Sequence, residues 1–315
     1  VESRRMASRQ TSRRLMPATS LAVMLCLSAC GRDGPEASAE PDPMPEMDIY
    51  IVELSGGLEQ GSFGEPRNVT RRDGYDNQPV FLPDGSGFLF TSFVDDQADT
   101  YRYQIADGSI HRVTASTAGE WAPALTPDGE GFTISRNEPE GFQRLWRFPM
   151  DGRSPRVVLR DITGAGYHTW VDENTVALYL LSEPPDLALV DIDTASRRIV
   201  ASNVGRCVQR VPQTRELAFV DKRDGDNWRI TYLDLDSMTV TRTLPTLPGR
   251  EDFALAADGS ILMAQGGRLY RSFPGEQTWE LLADWDASLP GHISRIAVSP
   301  TGRHLAFVVW EEPGE

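Results

Sequence analysis

Residues suited to molecular recognition recur along this chain at a spacing of about 43 residues. Each pair stands at the start of a repeated apolar segment, and the pairs differ in kind, with amide, aromatic, basic and acidic groups among them. A ring of identical residues would indicate a structural layer, whereas aromatic anchors with a few directed polar groups are typical of recognition surfaces. The predicted partner-binding residues are Asn77, Gln78, Trp121, Tyr167, His168, Arg206, Glu251, Asp252, Ser294 and Arg295.

Motifs of known catalytic chemistry are absent from the sequence. It contains no G-x-S-x-G elbow, no H-E-x-x-H motif, no P-loop and no G-x-G-x-x-G after a predicted strand. His168 and His292 lie near the predicted surface, but histidines on separate repeats are more often hydrogen-bonded loop residues than metal ligands. Residues 221–227 lack the ligand spacing and distal Glu of a calcium loop, which favours a polar hairpin turn. We predict no catalytic residue, no cofactor and no bound metal.

The repeat that carries these positions combines a short apolar run with a Pro-Asp-Gly turn. Two clear copies occupy residues 79–85 and 123–129, and fainter copies occupy 168–173, 208–213, 253–259 and 296–302. Equivalent positions are Asp84, Asp128, Glu173, Gln213, Asp258 and Thr301, which lie 44, 45, 40, 45 and 43 residues apart. A period in this range indicates a propeller, a solenoid or an array.

The intervals between the copies decide among these architectures. Each interval holds turn-bounded runs of β-branched and aromatic residues with no helical period, so each repeat holds four short strands. In the first repeat we place the strands at 80–82, 87–93, 100–105 and 110–114. Four-stranded sheets repeated around an axis form a β-propeller, which leaves only short edges. The predicted fold is all-β, a six-bladed β-propeller over residues 48–315.

The two ends of the chain complement each other in this scheme. The sixth repeat stops after its second strand, at residues 305–310, whereas residues 48–54 and 66–70 resemble a third and a fourth strand. We therefore predict that the last blade combines first and second strands from the C-terminus with third and fourth strands from the N-terminus.

The first 47 residues predict targeting and attachment. An Arg-rich segment precedes an apolar run at 18–27, and the sequence Leu-Ser-Ala-Cys follows, which resembles the bacterial lipobox with Cys30 as the lipidated residue. An ordinary signal peptide and a transmembrane anchor are the alternatives. We predict a lipoprotein signal peptide at 1–29 and, from Cys30 to residue 47, a lipid-bearing acidic, Pro-rich tether. Because Gly31 and not Asp follows Cys30, we expect an outer-membrane lipoprotein facing the periplasm.

Cysteine content and charge narrow the range of partners. Cys207 is the only cysteine after the predicted lipid site, so the mature chain has no disulfide, and a small buried residue is the favoured interpretation. The formal net charge of −15 argues against nucleic acid as a partner. Acidic residues concentrate in the loops between second and third strands, at 95–96, 138–140, 183–186, 221–226 and 311–312. They predict an acidic rim that favours a basic partner or a cation, unless the charge serves only solubility.

The Pro-x-Phe-x-Pro-Asp-Gly unit at 79–85, with its variant at 123–129, resembles the repeat of TolB-like six-bladed propellers. The resemblance covers residues 48–315 and implies a docking platform in the bacterial envelope whose channel mouth receives proteins or peptides. TolB itself carries an α/β domain before its propeller and no lipid site, so partner identity does not carry over. Similar repeats form the propellers of prolyl-oligopeptidase-type peptidases, where a following hydrolase domain does the chemistry.

The sequence thus predicts a monomeric, lipid-anchored envelope protein without catalytic activity. It would bind a protein, peptide or glycan partner at an acidic channel mouth, and the rim makes a basic envelope protein or peptide the expected partner. The alternative is a propeller enzyme of lyase or hydrolase type that acts on a cell-envelope or polysaccharide substrate. Convergence of His168 or His292 with two carboxylates would favour that alternative.

Overall fold

The computed structural model describes residues 44–60 and 62–311. The predicted signal peptide, Cys30 and most of the tether lie outside the described residues. Within the described part the protein is all-β, with 25 strands and one short helix, α1 (Gly57–Gln60). None of the described helical structure has the length and hydropathy needed to cross a bilayer.

Four sheets of the described part have four antiparallel strands each, added in sequence order. The strands of the four sheets, taken in turn, are β8 (Glu120–Leu125), β9 (Gly131–Asn137), β10 (Gln143–Pro149) and β11 (Arg156–Val157); β12 (Ala165–Trp170), β13 (Thr175–Leu180), β14 (Asp186–Asp191) and β15 (Arg197–Ser202); β16 (Val204–Arg210), β17 (Glu216–Asp221), β18 (Arg229–Asp234) and β19 (Thr239–Pro245); and β20 (Phe253–Leu255), β21 (Ile261–Gln265), β22 (Arg268–Ser272) and β23 (Glu280–Asp284).

The remaining strands form a nine-stranded sheet from both ends of the described chain. They are β1 (Met47–Ser55), β2 (Ser62–Phe63), β3 (Arg67–Asn68), β4 (Tyr75–Phe81), β5 (Gly87–Val94), β6 (Gln97–Gln104), β7 (Ile110–Arg112), β24 (His292–Val298) and β25 (His304–Trp310). The run from β4 to β7 repeats the order of the four-stranded sheets. The other group pairs β24 with β25, β25 with β1, and β1 with β2 and β3.

The N-terminal strand is held by the C-terminal one. β1 pairs antiparallel with β25 from Met47, opposite Trp310, to Glu53, opposite His304. A single parallel pair, Met47 with Tyr75, joins this group to β4. Backbone hydrogen bonds therefore tie residues that are about 260 positions apart in the sequence.

The core lies between neighbouring sheets. The second strands β5, β9, β17 and β25 are buried along most of their length because another sheet covers each of their faces. One apolar cluster joins Ile49 and Ile51 of β1 to Phe88 and Phe90 of β5, and Val308 of β25 belongs to it. Each such side chain contributes roughly 1.5–3 kcal/mol of hydrophobic stabilisation when fully buried.

The Pro-Asp-Gly segments of the repeat form turns that are stabilised by local hydrogen bonds to the aspartate. The Asp128 carboxylate accepts hydrogen bonds from the Thr126 hydroxyl at 2.6 Å and the Glu130 amide at 3.0 Å. The Thr126 hydrogen bond is the largest cause of a pKa of about 2 for Asp128, and the Glu130 amide and Arg147 lower it further. Gly129 follows in the left-handed region at φ 70°, which a glycine adopts without strain. The most regular part of the repeat is therefore a turn.

Candidate binding site at the start of the first strands

The first strand of five repeats is interrupted by a β-bulge near its start. The pairing registers of β4, β8, β12, β16 and β24 with their neighbours shift between Asn77 and Val80, Trp121 and Ala124, Ala165 and His168, Val204 and Val208, and Ile293 and Arg295. Bulges re-aim side chains and are common beside functional sites. The predicted recognition residues lie within or next to these bulges, except for Glu251 and Asp252, which stand immediately before β20.

The starts of these strands lie side by side. β4 contacts β8, and the contacts continue in order through β12, β16, β20 and β24, which in turn contacts β4. We call the surface formed by the starts of these six strands the mouth. Residues at the starts of neighbouring first strands can therefore contact one another.

Ionic contacts join three of the repeats at the mouth. The Arg206 guanidinium lies 2.6 Å from a carboxylate oxygen of Asp252 and 3.5 Å from one of Glu251. The Lys222 ammonium, which follows β17, lies 2.5 Å from the other Glu251 oxygen. Arg295 of β24 approaches Asp252 to 3.5 Å. We call these five residues the centre of the mouth.

Burial and charge together set the ionisation of this centre. Burial opposes the charge of Asp252, but the Arg206 and Arg295 guanidinium groups outweigh it and hold the pKa of Asp252 below its ordinary value. Burial likewise opposes the charge of Arg206, yet Asp252 and other neighbours raise the pKa of Arg206 well above its ordinary value. Asp252 and Arg206 therefore stay charged at neutral pH, in a setting that screens their interaction less than open solvent would.

A glycine permits the close approach of one carboxylate. A side chain on Gly205 would place its Cβ 3.0 Å from a carboxylate oxygen of Glu251 and 2.9 Å from Cβ of Val220. The absence of a side chain lets Glu251 also accept a 3.3 Å hydrogen bond from the Arg206 backbone amide. The bulge of β16 therefore presents both its backbone and its arginine to the acidic pair.

Aromatic rings surround the centre. The Arg295 guanidinium lies 5.1 Å from the centroid of the Tyr167 ring, which contacts Tyr179 edge-on at 5.9 Å. Tyr75 packs edge-on against Trp121 at 5.8 Å. Burial raises the pKa of Tyr75, with Tyr167 adding to the effect, so its phenol stays protonated. Rings that offer an apolar face and a polar edge, next to arginine, are the usual anchors of protein and peptide interfaces.

Charge differs between the centre and the surrounding loops. The centre brings together three cationic side chains and two carboxylates. The acidic loops around it are mostly exposed, as at Asp95, Asp96, Asp224 and Asp226. The mouth is therefore acidic only at its rim, which was not apparent from the sequence.

Two of the predicted recognition residues, Asn77 and Gln78, are buried and contact other strands. The Gln78 side-chain oxygen accepts a 2.6 Å hydrogen bond from the Ala122 amide, which links the bulges of β4 and β8. The Asn77 side-chain amide donates to the Met47 sulfur at 3.0 Å. The structure therefore gives Asn77 and Gln78 a packing contact. Ser294 is half-buried and its hydroxyl donates to the Val308 carbonyl at 3.4 Å.

Histidine 168 contacts a strand of the neighbouring sheet. It is buried, its Nε2 lies 2.7 Å from the Thr133 hydroxyl, and its Nδ1 has no hydrogen-bond partner among the described residues. Burial lowers the pKa of His168 to about 4, so the ring is neutral at physiological pH. His292 contacts Trp310 edge-on at 4.7 Å. The two histidines therefore have different neighbours: His168 contacts Thr133, and His292 contacts Trp310.

The structure also bears on metal binding and on the thiol. Across residues 44–60 and 62–311, no group of three or more His, Cys, Asp or Glu side chains is arranged to hold a metal ion. The Cys207 thiol donates to the Phe253 carbonyl at 3.3 Å, and burial raises the pKa of the Cys207 thiol to about 12. Because the thiolate is the nucleophilic form, this cysteine is unreactive at neutral pH.

Several residues of the mouth were not predicted. Tyr75 stands two positions before Asn77, so a search one step further along each strand would have found it. Lys222 and Tyr179 come from second strands or the residues after them, and Trp228 precedes a third strand; Lys222 lies 4.0 Å above the Trp228 ring. These residues share no position with the repeat motif, so only the packing of the sheets brings them to the mouth.

Comparison of sequences identifies one distant relative. No known protein family's sequence profile matches the chain. An uncharacterized protein of Agrobacterium fabrum is 27% identical over 126 residues, which are 40% of this chain and 39% of that protein. The match spans less than half the length of this curated relative.

Solved structures share the fold more widely. A protein provisionally named TolB from Agrobacterium tumefaciens has a TM-score of 0.66 at 18% identity, covering 85% of this chain and 99% of that one. TolB from Acinetobacter baumannii has a TM-score of 0.54 at 15% identity, covering 86% and 65%. An oligogalacturonate lyase in complex with manganese has a TM-score of 0.54 at 12% identity, covering 86% and 98%. The chain thus has the propeller-like, repeated-sheet fold of TolB structures.

Proposed function

We propose that this protein is a noncatalytic binding propeller of the bacterial envelope that captures a protein or peptide at its mouth. The observation that carries the proposal is the convergence of aromatic rings and half-buried charges from separate repeats. Arg206, Asp252 and Arg295 belong to three repeats, and Tyr167 and Trp121 add two more. Such a mixed cluster contributes specificity to an interface, because aromatic anchors and desolvated charges dominate binding energy.

We propose further that the sheets form a closed ring of six blades. The pairing of β1 with β25 and the contact between β24 and β4 support this arrangement, since they join the two ends of the chain. In such a ring the nine-stranded sheet comprises two blades linked by the Met47–Tyr75 pair. The mouth would then be one opening of the central channel.

The proposed location rests on the sequence before residue 44. We propose that Cys30 carries a lipid and that the tether holds the propeller, as a monomer, at the periplasmic face of the outer membrane. Growth with an alkyne-tagged fatty acid, followed by detection of the tag on this chain, tests the assignment. Labelling that persists in a Cys30→Ser variant would contradict it.

The likeness to an oligogalacturonate lyase supports a second candidate, a propeller enzyme that acts on a polysaccharide. An assay for new unsaturated sugar ends, with galacturonate oligomers and manganese, tests this directly. Turnover that persists in a variant of the mouth, but not in a denatured preparation of the protein, would favour an active site elsewhere on the chain. We favour binding because the mouth combines aromatic rings with paired charges.

Site-specific photocrosslinking tests capture at the mouth. A crosslinking residue at Tyr167 should link a discrete envelope partner in cells, whereas the same group at Ile199, exposed on the outer strand β15, should not. Combining Trp121→Ala with Arg295→Ala in the Tyr167 crosslinking variant should remove the product while circular dichroism shows that the variant remains folded. Equal crosslinking from both positions would contradict the proposal.

A further inference from the structure

The centre of the mouth holds more positive charge than its carboxylates neutralise. Arg206, Lys222 and Arg295 face Glu251 and Asp252, which leaves one positive charge in excess. Arg250 precedes these carboxylates in the chain, is half-buried and forms no ion pair within the described residues. A cluster of partly desolvated cations that carries an excess positive charge attracts an anion.

Arg295 is the least satisfied of these cations. Its single ionic contact is the 3.5 Å approach to Asp252, which already pairs with Arg206 at 2.6 Å. The Nε atoms of Arg295 and Arg206 are buried and lack a hydrogen-bond partner among the described residues. A buried donor without a partner is costly, so water or a ligand commonly satisfies such a group.

The geometry of Arg295 specifies the shape of that ligand. One face of its guanidinium covers the Tyr167 ring at 5.1 Å, which leaves the edges of the fork to donate hydrogen bonds. Its side chain is 17% exposed and can therefore be reached from solvent. A planar guanidinium held by an aromatic ring pairs best with a planar anion that accepts two parallel hydrogen bonds, as a carboxylate does.

We propose that Arg295, with Arg206 beside it, is a subsite for a carboxylate presented by a peptide partner. The inference rests on the proposed function and names the chemistry that the mouth recognises. The carboxylate adds the missing negative charge, and Trp121 and Tyr75 accept the adjoining residue. The acidic rim favours basic residues on either side of that carboxylate. The rim also disfavours a polyanionic sugar chain. The carboxylate is either a peptide C-terminus or an acidic side chain.

Two matched peptide pools distinguish these sources. The full-length protein is immobilised and presented with N-acetylated random hexapeptides, one pool ending in a free carboxylate and the other in an amide. Retained peptides are identified by mass spectrometry. Enrichment in the free-acid pool alone assigns the C-terminal carboxylate. Enrichment in both pools, restricted to peptides with Asp or Glu, assigns the side chain.

Variants of Arg295 test whether the proposed subsite causes the enrichment of peptides. Arg295→Gln should reduce the enrichment tenfold or more, and Arg295→Lys should retain part of it because the charge remains while the planar fork is lost. Arg215→Gln is the matched control, since Arg215 also contacts two aspartates but lies in the turn between β16 and β17, at the opposite end of these strands. It should leave the enrichment unchanged.

Failure of the subsite and failure of the proposed function give different results. Peptides lost with Trp121→Ala but kept with Arg295→Gln would overturn the carboxylate subsite and leave capture at the mouth intact. Equal enrichment of neutral amidated peptides would do the same. No enrichment from either pool, or displacement of the peptides by galacturonate oligomers at lower concentration than by free peptide, would overturn both.

Discussion

The centre and the rim of the mouth differ in the burial and the pairing of their charged residues. In the centre, Arg206 and Asp252 come from different repeats, contact each other at 2.6 Å and are mostly buried, with exposed side-chain fractions of 30% and 9%. At the rim, Asp95, Asp96 and Asp224 stand on exposed loops. The Coulomb energy of a charge pair is several-fold larger in a partly desolvated setting than in water. The burial of a charge therefore affects its interaction energy more than the number of charges on the surface does.

This difference changes how the overall charge of −15 is interpreted. The acidic residues are numerous, but those on exposed loops are screened within about 10 Å at 0.1 M salt. The few cations of the mouth are held in place by carboxylates and rings, and we propose that they determine which group is bound. In this proposal the rim contributes mainly to the rate of association.

The largest effect is expected from Asp252→Asn. The substitution leaves the Arg206 and Arg295 guanidinium groups without their shared carboxylate, and we expect a loss of about 3 kcal/mol in the free energy of unfolding at pH 7. The pKa of Asp252 lies below its ordinary value of 3.8, so its contribution is present above pH 3.8 and disappears as the pH falls through the folded-state pKa. Urea denaturation from pH 7 to pH 3 measures this.

Asp236→Asn is the matched control for Asp252→Asn. Asp236 pairs with Arg215 at 2.8 Å on an exposed turn, where its side chain is 67% exposed. We expect less than about 0.5 kcal/mol of destabilisation. Equal losses in the two variants would show that the centre and an ordinary surface pair do not differ in the way proposed.

Partner capture should depend on the aromatic wall. Trp121→Ala combined with Tyr167→Ala should weaken capture by about 10- to 50-fold, roughly 1.4–2.3 kcal/mol, because aromatic anchors carry much of the binding energy. The partner crosslinked from position 167 provides the ligand, and biolayer interferometry gives the affinity. Phe142→Ala, which removes an exposed ring from a loop, serves as the control. A larger effect of Phe142→Ala would move the binding site away from the centre.

A substitution of His168 tests whether this buried residue belongs to the binding surface of the mouth. The pKa of His168 is about 4 in the folded protein and 6.5 in its ordinary state, so between these values the unfolded chain binds a proton that the folded chain does not. Stability should therefore fall by about 2 kcal/mol between pH 7 and pH 5 on account of this residue. His168→Asn should remove that part of the pH dependence and leave capture unchanged at pH 7. A loss of capture would place His168 in the binding surface.

The smallest effect is expected at the rim. Neutralising Asp95, Asp96, Asp224 and Asp226 to asparagine should slow association with a basic partner by about threefold at 50 mM salt, and the difference should vanish at 0.5 M. The dissociation rate should not change. Stopped-flow kinetics over this salt range gives both rates. A change that persists at high salt would indicate direct contacts.

The sequence determined the repeat. Aspartate and glycine recur at the turns because the carboxylate of Asp128 accepts hydrogen bonds from the turn and Gly129 adopts a positive φ. The second strands can be predicted from the sequence because burial on both faces makes them continuously apolar. These features are local, or depend on burial alone, and the all-β fold with four-stranded sheets follows from them.

The tertiary structure decided which residues of the mouth act together. Among the predicted set, Arg206, Glu251, Asp252, Arg295, Tyr167 and Trp121 form the cluster or its walls, whereas His168, Asn77 and Gln78 are buried in contacts with other strands. Lys222 joins the cluster from a position outside the motif. Which side of a bulge a residue faces, and whether its charge finds a partner about 45 positions away, depend on how the sheets pack. The repeat spacing fixes the location of the candidate site, and long-range contacts fix which chemical groups meet there.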